Sequence, residues 1–282
     1  MTGAATGLIC LLGNPVEHSL SPVIHNAAFR HLGLDMRYMA FCVDRGRFPE
    51  ALQGLKALGC QGANVTVPYK EEAFPLVERL DPAARELRAV NTVIFRDGVT
   101  CGYNTDVAGV RAAIHLLAPL EKSALLLGAG GAGRAAALVL AREGFCPLGI
   151  SNRDPQRAGK LVDDMASIMG RSVAEVIPWG ETMSPAPGIL VNSTSLGLRE
   201  NPWSEDLLGH YLSAIGEGKV LDLVYSPHGE TSLVAAARAK GLKAQGGKEV
   251  LLRQGAEAFR LFTRQEAPLE VMRRALAGAC EE

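Results

Sequence analysis

A glycine-rich turn between a short apolar run and a long alanine-rich segment is the feature that most constrains how this chain can fold. Residues 124–127 read Ala-Leu-Leu-Leu, a run with the length and character of a buried strand. From Gly128 the sequence continues Gly-Ala-Gly-Gly-Ala-Gly, and an Ala/Leu-rich stretch then extends to Gly144. A strand, a glycine turn and a helix in this order predict a Rossmann-like dinucleotide-binding turn.

Three glycines of this turn fit the Gly-x-Gly-x-x-Gly pattern, and each has its own physical task. Gly128 permits the tight turn, Gly130 lets the backbone approach a pyrophosphate, and Gly133 lets the helix pack closely on the strand. The free N–H groups at the start of the helix would then hold the anion. We therefore predict a cofactor-binding loop that also includes Gly131 and Ala132. The alternative is a glycine turn that binds nothing.

Residues at the end of the next predicted strand indicate which dinucleotide is bound. About twenty positions after the glycine turn, where the ribose-binding residue is expected, residues 151–154 read Ser-Asn-Arg-Asp. Arg153 suits a 2′-phosphate because guanidinium pairs well with phosphate, and Arg157 would add a second cation one helical turn later. Asp154 acts in the opposite sense, since it would repel that phosphate or accept a hydrogen bond from an unphosphorylated ribose. These residues favour NADP and leave NAD as the alternative.

The rest of the chain alternates between strands and helices as an α/β protein does. From Ser123 to residue 245, apolar runs of strand length alternate with helical stretches such as residues 155–169. This alternation predicts a parallel sheet with helices on both faces. Nearer the N-terminus, the predicted strands are residues 8–13, 38–43 and 63–67, followed by a hairpin of residues 90–96 and 99–104 around Asp97-Gly98.

Charge and composition exclude several classes of protein. Lys and Arg number 29 and Asp and Glu number 30, a net charge of −1 that argues against a nucleic-acid partner. No apolar run reaches the length of a membrane helix, and the N-terminus lacks the basic region of a secretory signal. We therefore expect no membrane partner. The cysteines, at positions 10, 42, 60, 101, 146 and 280, include no Cys-x-x-Cys pair, which predicts reduced thiols in a cytoplasmic protein.

Neither a metal site nor one common family of dinucleotide-dependent enzymes fits the sequence. The six histidines, among them His18 and His228, do not have the spacing of metal ligands, so we predict no metal. Short-chain dehydrogenases use a Tyr-x-x-x-Lys motif, and none of the five tyrosines has a lysine four positions later. An enzyme of this kind still needs an acid or base beside the reacting carbon.

Two serines before the first predicted helix form a candidate anion site. Ser19 and Ser21 lie on either side of Leu20, and Pro22 follows as expected for the first turn of a helix. We expect Ser21 to cap the helix. Two hydroxyls beside the positive end of a helix dipole would bind a small carboxylate.

Further polar residues are concentrated in the same N-terminal region. Asn64 and Thr66 lie two positions apart on a predicted strand and therefore on the same face, and Lys70 follows just after the strand. Asn91-Thr92 and residues 104–106 add polar side chains around the hairpin. Each pair alone is typical of turn chemistry. Their concentration in one region, beside a nucleotide-binding fold, favours a functional site.

The order of these motifs resembles that of the shikimate dehydrogenase family over nearly the whole chain. So many matches in the family's order are specific, whereas a single Gly-x-Gly-x-x-Gly is not. The matching stretches are residues 13–22, 62–70, 89–92, 102–106, 128–132, 152–153, 192–197 and 222–225.

The resemblance implies reversible NADPH-dependent reduction of 3-dehydroshikimate to shikimate, in aromatic amino-acid biosynthesis. It implies that Lys70 and Asp106 form the catalytic pair, in which Lys70 gives a proton to the developing alkoxide. Several fixed donors and acceptors would recognise a substrate with several hydroxyls. The implied substrate-binding residues are Ser19, Ser21, Asn64, Thr66, Asn91, Tyr225 and Gln254, and Asn152, Thr194 and Gly247 are implied to contact the cofactor.

The chain also departs from the family pattern at three places. Residues 246–250 differ from the family's usual stretch, although Gln254 keeps its spacing, and the segment after Tyr225 is one residue longer, so Thr231 is not assigned. Asp154 lies where the family often has Thr or Ser. Two alternatives stay open: an NAD-dependent quinate/shikimate dehydrogenase, and a non-catalytic module that senses a dinucleotide.

These observations together predict an α/β fold of two lobes. Residues 1–107 would form a substrate-binding lobe around a small mixed sheet, and residues 108–244 a Rossmann-like NADP-binding lobe. The C-terminal helices, residues 245–282, would return to the first lobe, because Gln254 has to reach the substrate. We expect a monomer or a homodimer.

Overall fold

A computed structural model describes residues 3–198, 201–226 and 229–279. Cys280 and His228, which enter the sequence analysis, lie outside these described residues. The chain divides into two compact units, which we call the first unit (Met1–Ala108 with Leu251–Glu282) and the second unit (Gly109–Val250). The predicted α/β class is confirmed.

The first unit is built on a mixed sheet with the strand order β2-β1-β3-β5-β6-β4. Both neighbours of β1 in this sheet, β2 and β3, run parallel to β1. The hairpin strands β5 and β6 run antiparallel to each other. The described elements are β1 (Gly7–Gly13), α1 (Ser21–His31), β2 (Met36–Cys42), α2 (Phe48–Ala57), β3 (Gly62–Val65), α3 (Lys70–Ala73), a 3-10 turn (Phe74–Leu76), β4 (Arg79–Leu80), α4 (Pro82–Leu87), β5 (Thr92–Arg96), β6 (Val99–Tyr103) and the start of α5 (Asp106–Leu117).

The second unit is built on a parallel sheet with the strand order β12-β11-β10-β7-β8-β9. Its central strands are continuous apolar runs and fully buried, as expected for strands covered by helices on both faces. The described elements are β7 (Ala124–Leu127), α6 (Gly131–Arg142), β8 (Leu148–Ser151), α7 (Pro155–Met169), β9 (Ala174–Val176), β10 (Ile189–Asn192), α8 (Glu205–Ala214), β11 (Lys219–Asp222), α9 (Ser232–Ala239) and β12 (Ala244–Gln245).

The strand order of the second unit fixes where a ligand can bind. The chain proceeds from β7 outward through β8 to β9, and then returns to β10 on the other side of β7. The order therefore reverses between β7 and β10. In open parallel sheets ligands bind at this switch point, outside the carboxyl ends of the strands. The predicted glycine turn begins directly after β7, at this switch point.

The C-terminal segment forms two further helices. They are α10 (Gly247–Thr263), which starts in the second unit and ends in the first, and α11 (Leu269–Gly278). Helix α11 packs on α1 in the first unit. Gln254, on the part of α10 that belongs to the first unit, is thereby placed with the N-terminal residues.

Two of the longer helices of the described chain, α5 and α8, are absent from the sequence expectation, as is the short α3. Helix α5 buries Val107, Val110, Ile114 and Leu117, which repeat with helical spacing. Helix α8 begins after Ser204, whose hydroxyl accepts from the N–H of residue 207 as an N-cap. In both cases the local sequence contains a recognisable helix signal.

Within the described ranges, no helix combines the length and apolar character that crossing a bilayer requires.

Candidate active site

Lys70 and Asp106 meet in the first unit, although 36 positions separate them along the chain. Lys70 begins α3 and Asp106 begins α5, and the lysine Nζ donates to the Asp106 Oδ2 across 2.6 Å. The two side chains are 21% and 13% exposed. The pair is therefore largely, but not completely, shielded from water.

Asn91 holds the Asp106 carboxylate through the oxygen that Lys70 does not contact. Its Nδ2 donates to the Asp106 Oδ1 across 2.9 Å and to the Thr105 hydroxyl across 3.0 Å. Its Oδ1 accepts from the Thr105 N–H at 2.8 Å and from the Thr92 hydroxyl at 3.0 Å. Asn91 itself is buried. Because its amide is satisfied on both ends by the protein, it fixes the orientation of the Asp106 carboxylate.

Asn64 extends the same network toward the centre of the sheet. Its Nδ2 donates to the Asn91 carbonyl and to the Thr92 hydroxyl, over 3.1 and 2.8 Å. Its Oδ1 accepts from the hydroxyl of Tyr38 at 2.8 Å. Burial raises the pKa of Tyr38, and a hydrogen bond from Ser21 opposes that effect. Tyr38 is thus a buried hydrogen-bond partner of Asn64, a predicted substrate-binding residue.

Sequence reasoning missed Tyr38 as part of this site. It lies on β2, which is separated from the Asn64 strand by β1, so the two residues meet only through sheet pairing. No spacing rule within the sequence links positions 38 and 64.

Gln254 reaches the network from α10. Its Oε1 accepts from the Thr105 hydroxyl at 3.3 Å, and its Nε2 donates to the Leu251 carbonyl at 3.0 Å. Thr66 is half-buried, and within the described part of the chain its hydroxyl makes no protein hydrogen bond. The structure therefore joins five predicted residues of the first unit in one network: Asn64, Lys70, Asn91, Asp106 and Gln254. No described hydrogen bond joins Ser19 or Thr66 to it, and Tyr225 lies half-buried after β11 in the second unit.

The prediction that Ser21 caps helix α1 is wrong. The helix begins at Ser21 itself, because Leu20 already has a helical backbone with φ −88° and ψ 0°, and no side chain caps this end. The Ser19 Oγ accepts from the Ser21 N–H at 3.3 Å. The Ser21 hydroxyl is therefore not used as a cap.

A buried histidine supports Tyr38 from behind. The His25 ring stacks on Tyr38 with centroids 4.5 Å apart and an angle of 6°, and Phe29, Phe259 and Phe262 surround it. Neither ring nitrogen has a hydrogen-bond partner among the residues that the structure describes. Burial lowers the pKa of His25 from 6.5 to about 3. The imidazole is therefore neutral at physiological pH and acts as an aromatic packing residue.

This histidine predicts a specific loss of stability in acid. Between the unfolded pKa of 6.5 and the folded value of about 3, only the unfolded chain binds a proton, so the free energy of unfolding falls as the pH falls. When the pH is lowered from about 7.5 to about 5, we expect the free energy of unfolding of the unchanged protein to fall by about 2 kcal/mol more than that of His25→Leu. Urea unfolding at both pH values measures the difference. His31→Gln, at an exposed histidine of α1, should follow the unchanged protein, and parallel pH profiles for all three would contradict the prediction.

The glycine loop of the second unit has two tightly packed positions and two open ones. Gly128 has φ +103°, and a Cβ there would lie 2.6 Å from the Ser193 Oγ. A Cβ on Gly133 would lie 2.4 Å from the Gly128 carbonyl oxygen. A Cβ on Gly130 or Gly131 would meet nothing within 4 Å. The open positions adjoin the N-terminus of α6, so the loop leaves room there for a phosphate group and fits a dinucleotide.

Three other residues predicted to contact the cofactor hold the loops around this end of the sheet. The Asn152 Oδ1 accepts from the N–H of residue 129 across 3.2 Å, which ties the glycine turn to the end of β8. The Thr194 hydroxyl donates to the Asn192 Oδ1 across 2.7 Å. Gly247 donates its N–H to the Val224 carbonyl at 3.1 Å, and a Cβ there would clash with that backbone.

The two predicted cations differ in their partners. The Asp154 carboxylate caps α7 by accepting from the N–H groups of residues 156 and 157, and its Oδ2 lies 3.6 Å from the Arg157 Nε. Within the described ranges Arg153 pairs with no carboxylate, and its guanidinium lies over the Trp179 ring, 5.6 Å from the centroid. Arg153 is therefore the more available cation, and the Asp154 carboxylate already serves the helix.

A buried carboxylate, Asp222, is a structural residue that sequence reasoning did not interpret. It accepts hydrogen bonds from the Asn192 Nδ2 at 2.8 Å, the Thr231 hydroxyl at 2.6 Å and the Val224 N–H at 3.1 Å. Burial raises its pKa to about 6. These bonds join β10, β11 and the start of α9, which Thr231 caps.

No cluster of at least three His, Cys, Asp or Glu side chains suited to a metal ion occurs among the residues that the structure describes.

Comparison with protein-family models gives two matches on this chain. The model described as the shikimate dehydrogenase substrate binding domain matches residues 11–93. The model described as the shikimate 5'-dehydrogenase C-terminal domain matches residues 247–277. Both matches lie largely in the first unit, where the Lys70–Asp106 network is found.

Individual relatives align over nearly the whole chain. A shikimate dehydrogenase (NADP(+)) of Moorella thermoacetica is 43% identical over 288 aligned residues, covering 98% of this chain and 94% of the relative. A shikimate 5-dehydrogenase of Thermus thermophilus, solved with NADP(H) and shikimate, is 35% identical with a TM-score of 0.83, covering 97% and 99% of the two chains. A quinate dehydrogenase of Corynebacterium glutamicum, solved with NAD, is 30% identical with a TM-score of 0.87, covering 97% and 99%.

Proposed function

The chain belongs to the shikimate dehydrogenase family, and on that premise we propose that Lys70 and Asp106 are the acid–base pair of an NADP-dependent shikimate dehydrogenase. The enzyme is an oxidoreductase that interconverts 3-dehydroshikimate and shikimate. The observation that supports the assignment of the pair is the 2.6 Å contact between the lysine amine and the carboxylate at a partly exposed position.

The pair supplies the proton that reduction of a ketone requires. When bound, NADPH supplies the hydride that adds to the carbonyl carbon. As the C=O electron pair moves onto oxygen, Lys70 donates a proton to that oxygen and forms the hydroxyl. Asp106 orients the amine and stabilises its charged form. In the oxidation direction, the neutral Lys70 amine removes the same proton from the hydroxyl.

The neighbouring residues select and orient the substrate. Ser19 and Ser21 would bind its carboxylate with help from Tyr225, and Asn64, Thr66, Asn91 and Gln254 would bind the ring hydroxyls. Asn64 and Asn91 would do so by exchanging one of their hydrogen bonds within the protein for a bond to the substrate. The Thr66 hydroxyl supports this role, since no described residue occupies it. A substrate that lacks one hydroxyl would leave a donor or acceptor unpaired, and this penalty provides discrimination.

Cofactor binding is assigned to the loops of the second unit. Gly130, Gly131 and the N-terminus of α6 would hold the pyrophosphate. Arg153 would bind the 2′-phosphate with support from Arg157. Asp154 would be oriented away from the ligand by its neighbours, since its Oδ1 accepts from two backbone N–H groups and its Oδ2 lies 3.6 Å from the Arg157 Nε.

We further propose a cytoplasmic enzyme that acts as a monomer or homodimer. The cysteines of the described chain, Cys10, Cys42, Cys60, Cys101 and Cys146, are all free, which agrees with a reducing compartment.

A steady-state assay of shikimate and quinate, each with NADP and NAD, tests the proposed function. We expect kcat/KM for shikimate with NADP to exceed every other combination by at least about tenfold, the scale of one charge-assisted phosphate contact. If the only turnover is that of quinate with NAD, the protein is instead the NAD-dependent quinate/shikimate dehydrogenase given above as an alternative. Absence of turnover with all four combinations, together with measurable dinucleotide binding, would establish a sensing module.

A further inference from the structure

We propose that Trp179 positions Arg153 and thereby sets the preference of this enzyme for a 2′-phosphorylated dinucleotide. The inference rests on the role proposed above for Arg153. Trp179 is thus a positioning residue that acts through the arginine, and a determinant of cofactor specificity.

The contact itself is the first observation. The Arg153 guanidinium lies over the Trp179 ring at 5.6 Å from its centroid, within the range of a cation–π interaction. Arg153 is otherwise exposed and, among the described residues, forms no ion pair. The ring is therefore the group that restrains this side chain.

Trp179 is itself held firmly enough to serve as a support. It packs edge-on against Tyr211, with centroids 6.4 Å apart, and the next residue, Gly180, donates its N–H to the Tyr211 hydroxyl at 3.1 Å. Tyr211 is completely buried. The loop that carries Trp179 is also tied to β8, because the Ser151 hydroxyl donates to the Pro178 carbonyl at 3.3 Å.

An aromatic support suits an arginine that has to bind phosphate. A ring face takes up the flat side of a guanidinium and uses none of its N–H donors. A carboxylate partner would occupy those donors and would cancel the positive charge. Stacking therefore reduces the conformational freedom that a long exposed side chain loses on binding, and leaves the donors for the ligand.

The arrangement of Arg157 supports the division of roles. That side chain lies 3.6 Å from the Asp154 carboxylate, so its charge is partly offset before any ligand arrives. The two neighbouring cations thus differ in their partners: Arg157 lies beside a carboxylate, whereas Arg153 lies over the Trp179 ring and keeps its full charge.

Binding of two adenine nucleotides tests the proposal without turnover. The probes are adenosine 2′,5′-bisphosphate and adenosine 5′-monophosphate, which differ by the 2′-phosphate, and calorimetry measures their affinities. We expect Trp179→Leu to lower the affinity for the bisphosphate by about threefold to tenfold. The affinity for the monophosphate should fall by less than about twofold. Trp179→Phe, which keeps a ring, should recover part of the loss. Trp203→Phe, at the other tryptophan that packs on Tyr211, should change neither affinity.

A double variant that combines Trp179→Leu with Arg153→Ala distinguishes failure of the inference from failure of the proposed function. If Trp179 acts through the arginine, Trp179→Leu has no further effect on the preference for the bisphosphate once Arg153→Ala is present. Equal weakening of both probes by Trp179→Leu, or full additivity in the double variant, would overturn the role of Trp179 alone. An unchanged preference in Arg153→Ala would overturn the assignment of Arg153, and the inference with it. Thermal unfolding of each variant verifies that the second unit is folded.

Discussion

Replacing Lys70 by methionine should lower kcat for shikimate oxidation by about 100-fold or more, the usual effect of removing a general acid–base group. Methionine keeps much of the length of the side chain but cannot hold or transfer a proton. Because the amine is part of the reaction rather than of ground-state binding alone, kcat should fall more than KM rises. Stopped-flow and steady-state assays in both directions measure the effect.

The chain offers a matched control for this experiment in the same unit. Lys56 also forms an ion pair, with the Glu78 Oε1 at 2.9 Å, but both side chains are well exposed and neither belongs to the Asn91 network. Lys56→Met should leave kcat and KM nearly unchanged, since an exposed pair contributes little. A loss of less than about tenfold in Lys70→Met, with the fold retained, would show that another group moves the proton.

Much of the second unit could be predicted because its signals are local. The apolar run 124–127 is β7 to the residue, the run 189–192 is β10, and the stretch 155–169 is α7. The central strands of this parallel sheet are buried on both faces, so each appears in the sequence as a short, mainly apolar run. The backbone tasks predicted for two glycines are confirmed, since Gly128 has φ +103° in the turn and Gly133 packs too closely on the Gly128 carbonyl to accept a Cβ.

The first unit was less predictable, because its site is assembled across strands. The sequence presents Asn91 as one member of a polar pair, and the family resemblance implies that it contacts the substrate. The structure shows that it also joins Asp106, Thr105 and the Asn64 amide through hydrogen bonds. Tyr38 enters the same network from β2 with no signal at the sequence level. The capping role given to Ser21 failed because the helix starts one residue earlier than the pattern suggested, a shift that is common at helix ends.

Gly133→Ala should destabilise the second unit and also reduce its affinity for the dinucleotide. The added Cβ would lie 2.4 Å from the Gly128 carbonyl oxygen and 2.8 Å from the Ser193 Oγ, so backbone has to move. Overpacking of this kind costs about 1–3 kcal/mol, and we expect the free energy of unfolding to fall by that amount. Urea unfolding measures the loss. Affinity for NADP should fall as well, because the displaced residues shape the turn that approaches the pyrophosphate.

Gly130→Ala is the decisive counterpart, because its Cβ would meet no protein atom within 4 Å. The backbone at Gly130, with φ −84° and ψ −171°, is open to any residue, so stability should be unchanged or rise by up to about 1 kcal/mol. The added methyl group would nevertheless occupy the space that a phosphate needs, and we expect NADP affinity to fall by about tenfold. Calorimetric titration with NADP separates the two effects. Full affinity in a stable Gly130→Ala would show that the glycine at this position makes no close approach to the cofactor, whereas loss of stability would show that the open side of the loop is part of its packing.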